Sequence, residues 1–230
     1  MAITFVNAGT AATALSGNVT PTLPSGWAAD DIHIILVHSF DNVSHTFPAG
    51  WTIIDERNNG ANQRVTCAWR RAVGGDGNPT VTHSAGNSII ANIGGFRGCS
   101  TGASVINANG SQANASSATV TAPDISPTVA NCMIVFLGAS SGSGSTFSSY
   151  SGTNPTFTEG FDNTYSGEDD SICLAYGIKT DTGSTGSRTA TQTVASVNVG
   201  TLIALLEAGA GAPTGVDRYA ASLHLTHIAA

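Results

Sequence analysis

Charge is scarce in this chain. Asp, Glu, Lys and Arg make up only 10% of its 230 residues, and Lys179 is the single lysine. The balance is acidic, with a formal net charge of -7. Eight Lys plus Arg residues are too few to line a phosphate backbone, so nucleic acid is set aside as a partner. Long apolar runs are missing too. None approaches the roughly 18 residues a membrane-crossing helix needs, so no membrane partner is expected. The first residues, Met1 to Asn7, lack a basic segment followed by a long apolar one, and no secretory signal is read there. Cysteine is sparse: Cys67, Cys99, Cys132 and Cys173 lie far apart and form no C-x-x-C pair. That spacing argues against zinc and does not imply disulfides in a chain of this size. Cys67 and Cys173 sit within apolar runs and are expected as buried free thiols.

What fills the chain is Gly, Ser, Thr, Asn and Ala, with hydrophobic residues at 41%. The hydrophobic residues fall in short runs between turn clusters, the pattern of a folded all-β chain rather than a disordered one. From Gly50 to Gly98 the alternation is clearest. Val65, Cys67, Trp69 and Arg71 share one parity and Arg64, Thr66, Ala68 and Arg70 the other, as in a half-buried antiparallel strand. Arg71 shares a face with Trp69, so it is expected near the strand end, snorkelling or paired. Gly94 and Gly95, inside the run Ser88 to Phe96, mark a bulge or a close backbone approach. Ile32 to His38 and Cys132 to Leu137 are apolar on both parities, which predicts central strands buried on both faces. Further strands are read at Ile3 to Val6, Thr80 to Thr82, Ala118 to Ala122, Ser171 to Lys179, Thr189 to Val194 and Asn198 to Leu206. Phe40 to Pro48, Ser140 to Ser151 and Gly160 to Asp170 read as loops.

The two halves echo one another. Asp31 to His38 resembles Asn131 to Gly138, and Val65, Cys67, Trp69 and Arg71 line up with Ile172, Leu174, Tyr176 and Ile178. A Thr-rich strand and a final apolar strand follow in each half. The fold class expected is therefore all-β: an antiparallel, jelly-roll-like β-sandwich over residues 1–208. It would contain two pseudo-repeated halves, about 27–100 and 128–207, then a linker and short tail at 209–230. Regular strand spacing is itself a sandwich signature, so the echo has that simpler explanation as well. Two Pro-x-Gly-Trp turns, Pro24 to Trp27 and Pro48 to Trp51, are read as delivering indoles onto the core edge. The alternative for them is an aromatic platform for sugar.

Pro48, Gly50, Trp51 and Thr52; the strand Ala68-Trp69-Arg70-Arg71-Ala72; the turn with Gly75, Asp76, Asn78, Pro79 and Thr80; and the ending Phe96-Arg97-Gly98 together resemble a module of tailed-bacteriophage virion proteins. The resemblance covers roughly residues 25 to 100; the second half follows only by pattern. It implies a β-sandwich serving as a structural or adhesive unit of the virion, and it carries over no catalytic residues.

The residues themselves offer little chemistry. His33 and His38 are five positions apart and fall on opposite strand faces. His224 and His227 are three apart in the tail, without the further ligands zinc needs. Glu168, Asp169 and Asp170 lack the spacing of a calcium loop and read as a solvated acidic turn. Gly142-Ser143-Gly144 lacks the strand–turn–helix setting of a nucleophile elbow. No catalytic residue, metal or cofactor is expected. The reading is a non-enzymatic virion subunit, assembled in the host cytoplasm, that binds other virion proteins and itself, with a trimer as one arrangement. A capsid decoration or cement role is favoured. A tail-tip or fibre module contacting host-surface glycan, and a carbohydrate-binding or glycosidase sandwich, are the alternatives. Surface contacts are assigned to Arg71, Arg97, Tyr219, His224 and His227, and the tail beyond Gly209 is expected to dock on a neighbouring chain.

Overall fold

The two runs that are apolar on both parities become the centres of two sheets. The computed structural model describes residues 2–84 and 86–209. The first half supplies β1 (Thr4–Ala8), β2 (Ala12–Ala14), β3 (Ile32–Ser39), β4 (His45–Thr46), β5 (Thr52–Asn58), β6 (Arg64–Arg71), β7 (Thr82–His83) and β8 (Ile89–Arg97). The second supplies β9 (Ile106–Ala122), β10 (Cys132–Ser140), β11 (Phe147–Ser148), β12 (Thr158–Tyr165), β13 (Asp170–Lys179) and β14 (Arg188–Leu205). The first sheet runs β1-β8-β3-β6-β5, with β2 also on β8. The second runs β11-β14-β10-β13-β12, with β9 also on β14. β4 and β7 pair as a small ribbon. All these pairings are antiparallel.

The sheets pack face to face. Ile32, Ile34, Leu36, Cys67 and Phe96 from one meet Met133, Val135, Leu137, Leu174 and Ile203 from the other in a shared core. Each such side chain, fully buried, contributes about 1.5–3 kcal/mol. The opposite faces are not left to water. Ile35, Val37, Ala68 and Ile93 lie under Val19 and Val81, and Ile134, Phe136 and Leu202 lie under Val120, Ile125 and Phe147. Every residue of β3 and of β10 is buried, as their two-sided apolar sequence requires.

The strand orders β5-β6-β3-β8 and β12-β13-β10-β14 correspond. β5 bulges against β6 between Ile53 and Asp55, and β12 against β13 between Glu159 and Phe161. Ile34 lies opposite Trp69, and Val135 lies opposite Tyr176. The match of Asp31–His38 with Asn131–Gly138 is therefore displaced by one residue. Ile32 enters the shared core with Met133, whereas Cys132 joins the outer cluster. A one-residue slip exchanges faces, and a run apolar on both parities conceals it.

Other expectations are corrected by the register. Gly160 to Asp170 is not a loop: most of it is β12, with a turn only at 166–169. The Ser-, Ala- and Asn-rich stretch before Pro123 forms one long strand rather than the short one read at Ala118 to Ala122. The last two strands read from the sequence are one, β14, broken in register between Thr191 and Asn198. At that break the β9–β14 ribbon folds back over the outer face of its own sheet. The Asn114 side-chain amide donates to the Thr121 carbonyl (2.9 Å) and to Asn198 Oδ1 (2.9 Å), which holds the corner. Gly200 lies beneath it, where a Cβ would come 2.4 Å from the Thr121 carbonyl oxygen. Gly94 serves similarly between the sheets, where a Cβ would meet Leu174 at 2.8 Å.

All four cysteines are buried and free. The two Trp-bearing turns have glycines at positive φ, Gly26 at 75° and Gly50 at 91°. They set Trp27 edge-on to His33 at 5.7 Å and Trp51 against Phe47 at 6.3 Å, over the outer face of the first sheet.

Candidate functional site: a polar seam between the sheets

Along the inner face of β3 the side chains read Ile32, Ile34, Leu36 and then His38. The last is fully buried, so its ring nitrogens need partners. They come from the other sheet and from the β5–β6 turn. Asp170 Oδ1, at the first residue of β13, lies 2.8 Å from His38 Nδ1, and both side chains are wholly excluded from solvent. Ser141 Oγ, just past β10, lies 3.4 Å from His38 Nε2. Gln63 Nε2 lies 3.2 Å from the same nitrogen and 3.5 Å from the Ala139 carbonyl. Nε2 can accept from Gln63 and Ser141, while Nδ1 faces the Asp170 carboxylate at ion-pair distance without an aligned hydrogen bond.

A second polar group adjoins the first. His45 Nδ1 lies 2.9 Å from Thr66 Oγ1, and Nε2 lies 3.0 Å from Ser39 Oγ. The His83 ring stands 5.6 Å away, and its Nε2 is 3.2 Å from Asp41. Burial works to raise the Asp41 carboxyl. The Val43 and Asn87 backbone N–H groups and His83 outweigh it and hold the group below its usual range. Burial drives His45 from 6.5 down to about 3, and drives His33, on the opposite face of β3, down to about 4.

Ser141, His38 and Asp170 stand in the order nucleophile, base and orienting carboxylate. The setting is a buried one. His38 and Asp170 are 0% exposed and Ser141 only 7%, while Gln63 already occupies the base nitrogen. An open groove of about 420 Å³ lies elsewhere, among Ile3, Phe5, Met133, Thr158, Tyr176 and Ile178. The seam joins the layers by proximity: His38 of one sheet faces Asp170 of the other at 2.8 Å and shares Nε2 with Gln63 and Ser141, while Nδ1 and the two Asp170 oxygens make no aligned hydrogen bond.

Two of the sequence-assigned contact residues are engaged within the chain. Arg71, the last residue of β6, donates to the Ser100 carbonyl (2.7 Å) and the Asp30 carbonyl (3.4 Å). Arg97 holds Asp31 through two hydrogen bonds of 2.9 and 2.7 Å. Tyr219, His224 and His227, and the tail expected to dock on a neighbouring chain, lie outside the described residues. The structure does not bring Arg71 or Arg97 to the seam. Sequence reasoning missed Asp170, read as part of a solvated acidic turn, along with Gln63 and Ser141. One signal was available: a histidine closing an otherwise apolar strand face must find a polar partner. Among the described residues, no group of three or more His, Cys, Asp or Glu is placed to hold a metal ion.

The buried histidines set an acid response. Between pH 6.5 and about 4 the unfolded chain binds protons at His33 and His45 that the native chain refuses. Stability therefore falls as pH falls through that window. Asp162 opposes this, because burial raises its carboxyl to about 6 and a proton there favours the folded state. Asp55, also raised by burial, acts in the same sense as Asp162, but the two histidines are displaced further, and a net loss of stability by about pH 4 is expected. Urea titrations at stepped pH check it. A midpoint that stays level or climbs on acidification contradicts the assignment.

Compared with models of known protein families, with curated proteins and with solved structures, the chain matches none.

Proposed function

We propose that this chain is a non-enzymatic structural subunit of a tailed-phage virion, most simply a decoration or cement subunit on the capsid exterior, binding other virion proteins. One observation carries the reading: the alignment of hydroxyl, imidazole and carboxylate among the described residues, Ser141–His38–Asp170, is buried in the joint between the layers. Its side chains face one another from opposite layers, away from solvent. What faces outward is backbone edge, an open groove and small polar side chains, which suit docking. The order of motifs from Pro48 to Gly98 supports the virion setting by resemblance. Trp27 and Trp51 are half-buried over the first sheet, which favours a structural role for them over a sugar platform.

The test is location. Particles purified from the source of this sequence should hold many copies of the chain by quantitative mass spectrometry, with antibody label on the head surface. Recovery of the chain only in the unassembled fraction contradicts the proposal, and label on the tail corrects its place in the particle.

A further inference from the structure

The outer strands of the two main sheets are guarded unequally. β5 carries Asp55, Glu56 and Arg57. β12 carries Glu159 and Asp162 and bulges between them. β1 is short and bulges between Phe5 and Asn7. These are the usual devices against edge-to-edge pairing. β9 uses fewer of them. It runs from Ile106 to Ala122, contains neither charge nor proline, and pairs through one side only, with β14. Its irregularities fall at the ends of a straight arm, between Ala108 and Asn114. That arm is roughly 24 Å long, and Asn109, Gln112 and Ala113 along it are exposed.

The neutrality is wider than the strand. No charged side chain occurs between Arg97 and Asp124, nor between Arg188 and Glu207, which includes all of β14 after its first residue. In a chain of net charge -7, two copies repel over most of their surfaces. The β9–β14 ribbon pairs this neutrality with a long open edge, so two copies can approach there with little like charge; the nearest carboxylate, Asp55 at Ser111, is faced by Arg57. An unpaired antiparallel edge accepts an extended strand, and a twofold axis brings the same strand to itself in antiparallel sense.

We propose that β9 pairs antiparallel with β9 of a second copy, joining the second sheets of two molecules into one continuous sheet. The occupant is a second copy because neutrality on both sides of the contact is what a self-pairing edge on an acidic protein requires. A basic partner strand would instead be met by acidic side chains along the edge. The virion role and the self-pairing are separable: particle location tests the first, and solution assembly of the pure chain tests the second.

The full chain is examined by sedimentation equilibrium from about 1 to 200 µM, a range that reads dissociation constants down to micromolar. The paired variant Asn109→Lys with Ala113→Lys is run beside it. The wild type is expected as a dimer and the variant as a monomer, with dissociation at least about 100-fold easier and an unchanged thermal midpoint. If the variant fails to fold, hydrogen exchange of the wild type decides. Amides of residues 108–114 should gain protection as concentration rises through the dimer transition. A monomeric wild type overturns the proposal, even if another protein later proves to bind the edge. So does a dimer that survives both lysines, or one whose β9 amides exchange alike at all concentrations.

Discussion

Asp170→Ala should lower the unfolding free energy by about 3 kcal/mol: a buried polar ring deprived of the group it faces costs about 1–3 kcal/mol, and the hollow left by the carboxyl adds to it. Asp170 is fully buried and faces His38 at 2.8 Å. The truncation removes the carboxylate that the buried imidazole faces and leaves a hollow beside it. For a chain of this length the loss corresponds to a fall in thermal midpoint of roughly 10 °C. The double replacement His38→Leu with Asp170→Leu removes both polar groups at once. It should be much milder than the single change, because apolar side chains of similar size often substitute for a buried pair without penalty. A single variant that loses under about 1 kcal/mol, within the range of an exposed pair, would show that the seam does not hold the layers together.

Gly200→Ala is the second large effect, and its cause is steric. The added Cβ would sit 2.4 Å from the Thr121 carbonyl oxygen, 2.6 Å from its carbon and 2.7 Å from the Ala122 nitrogen. These are backbone atoms, so no side chain can swing aside. Overpacking typically costs about 1–3 kcal/mol, and a clash with backbone belongs at or above the top of that range. The folded-back arm must lift, exposing the outer face that Val120, Ala122 and Ala190 help to cover. Gly77→Ala is the control, since a Cβ there meets nothing within 4 Å. Chemical denaturation of the two variants should separate them by at least about 2 kcal/mol. Equal stabilities would mean that the corner at Asn114 and Asn198 is not packed as described.

The layered architecture was legible because burial on both faces leaves a continuous apolar run, and β3 and β10 have no other reading. The β12 strand was not legible. Its Gly160 sits at a bulge where a Cβ would meet Leu174 at 2.8 Å and Phe5 at 3.0 Å, so the residue that looked like a loop signal is a packing requirement. β9 was legible only at its end, since an edge strand of Ser, Asn and Ala has no apolar alternation to reveal it. The seam was hidden for a different reason. His38 and Asp170 belong to opposite sheets, and local patterning says nothing of pairs so distant in sequence. Each looked ordinary alone: a strand histidine and the last residue of an acidic turn.

The account rests on the seam being a joint and not a reaction centre, and a fluorophosphonate probe tests that most directly. Such a probe forms a covalent adduct with a serine activated by a neighbouring base. Intact-mass measurement of the native chain after incubation at neutral pH should show no adduct, because Ser141 is buried and Gln63 already lies on His38 Nε2. A stoichiometric adduct mapped to Ser141, and lost in His38→Ala, would contradict it and make this protein a hydrolase with a site that opens.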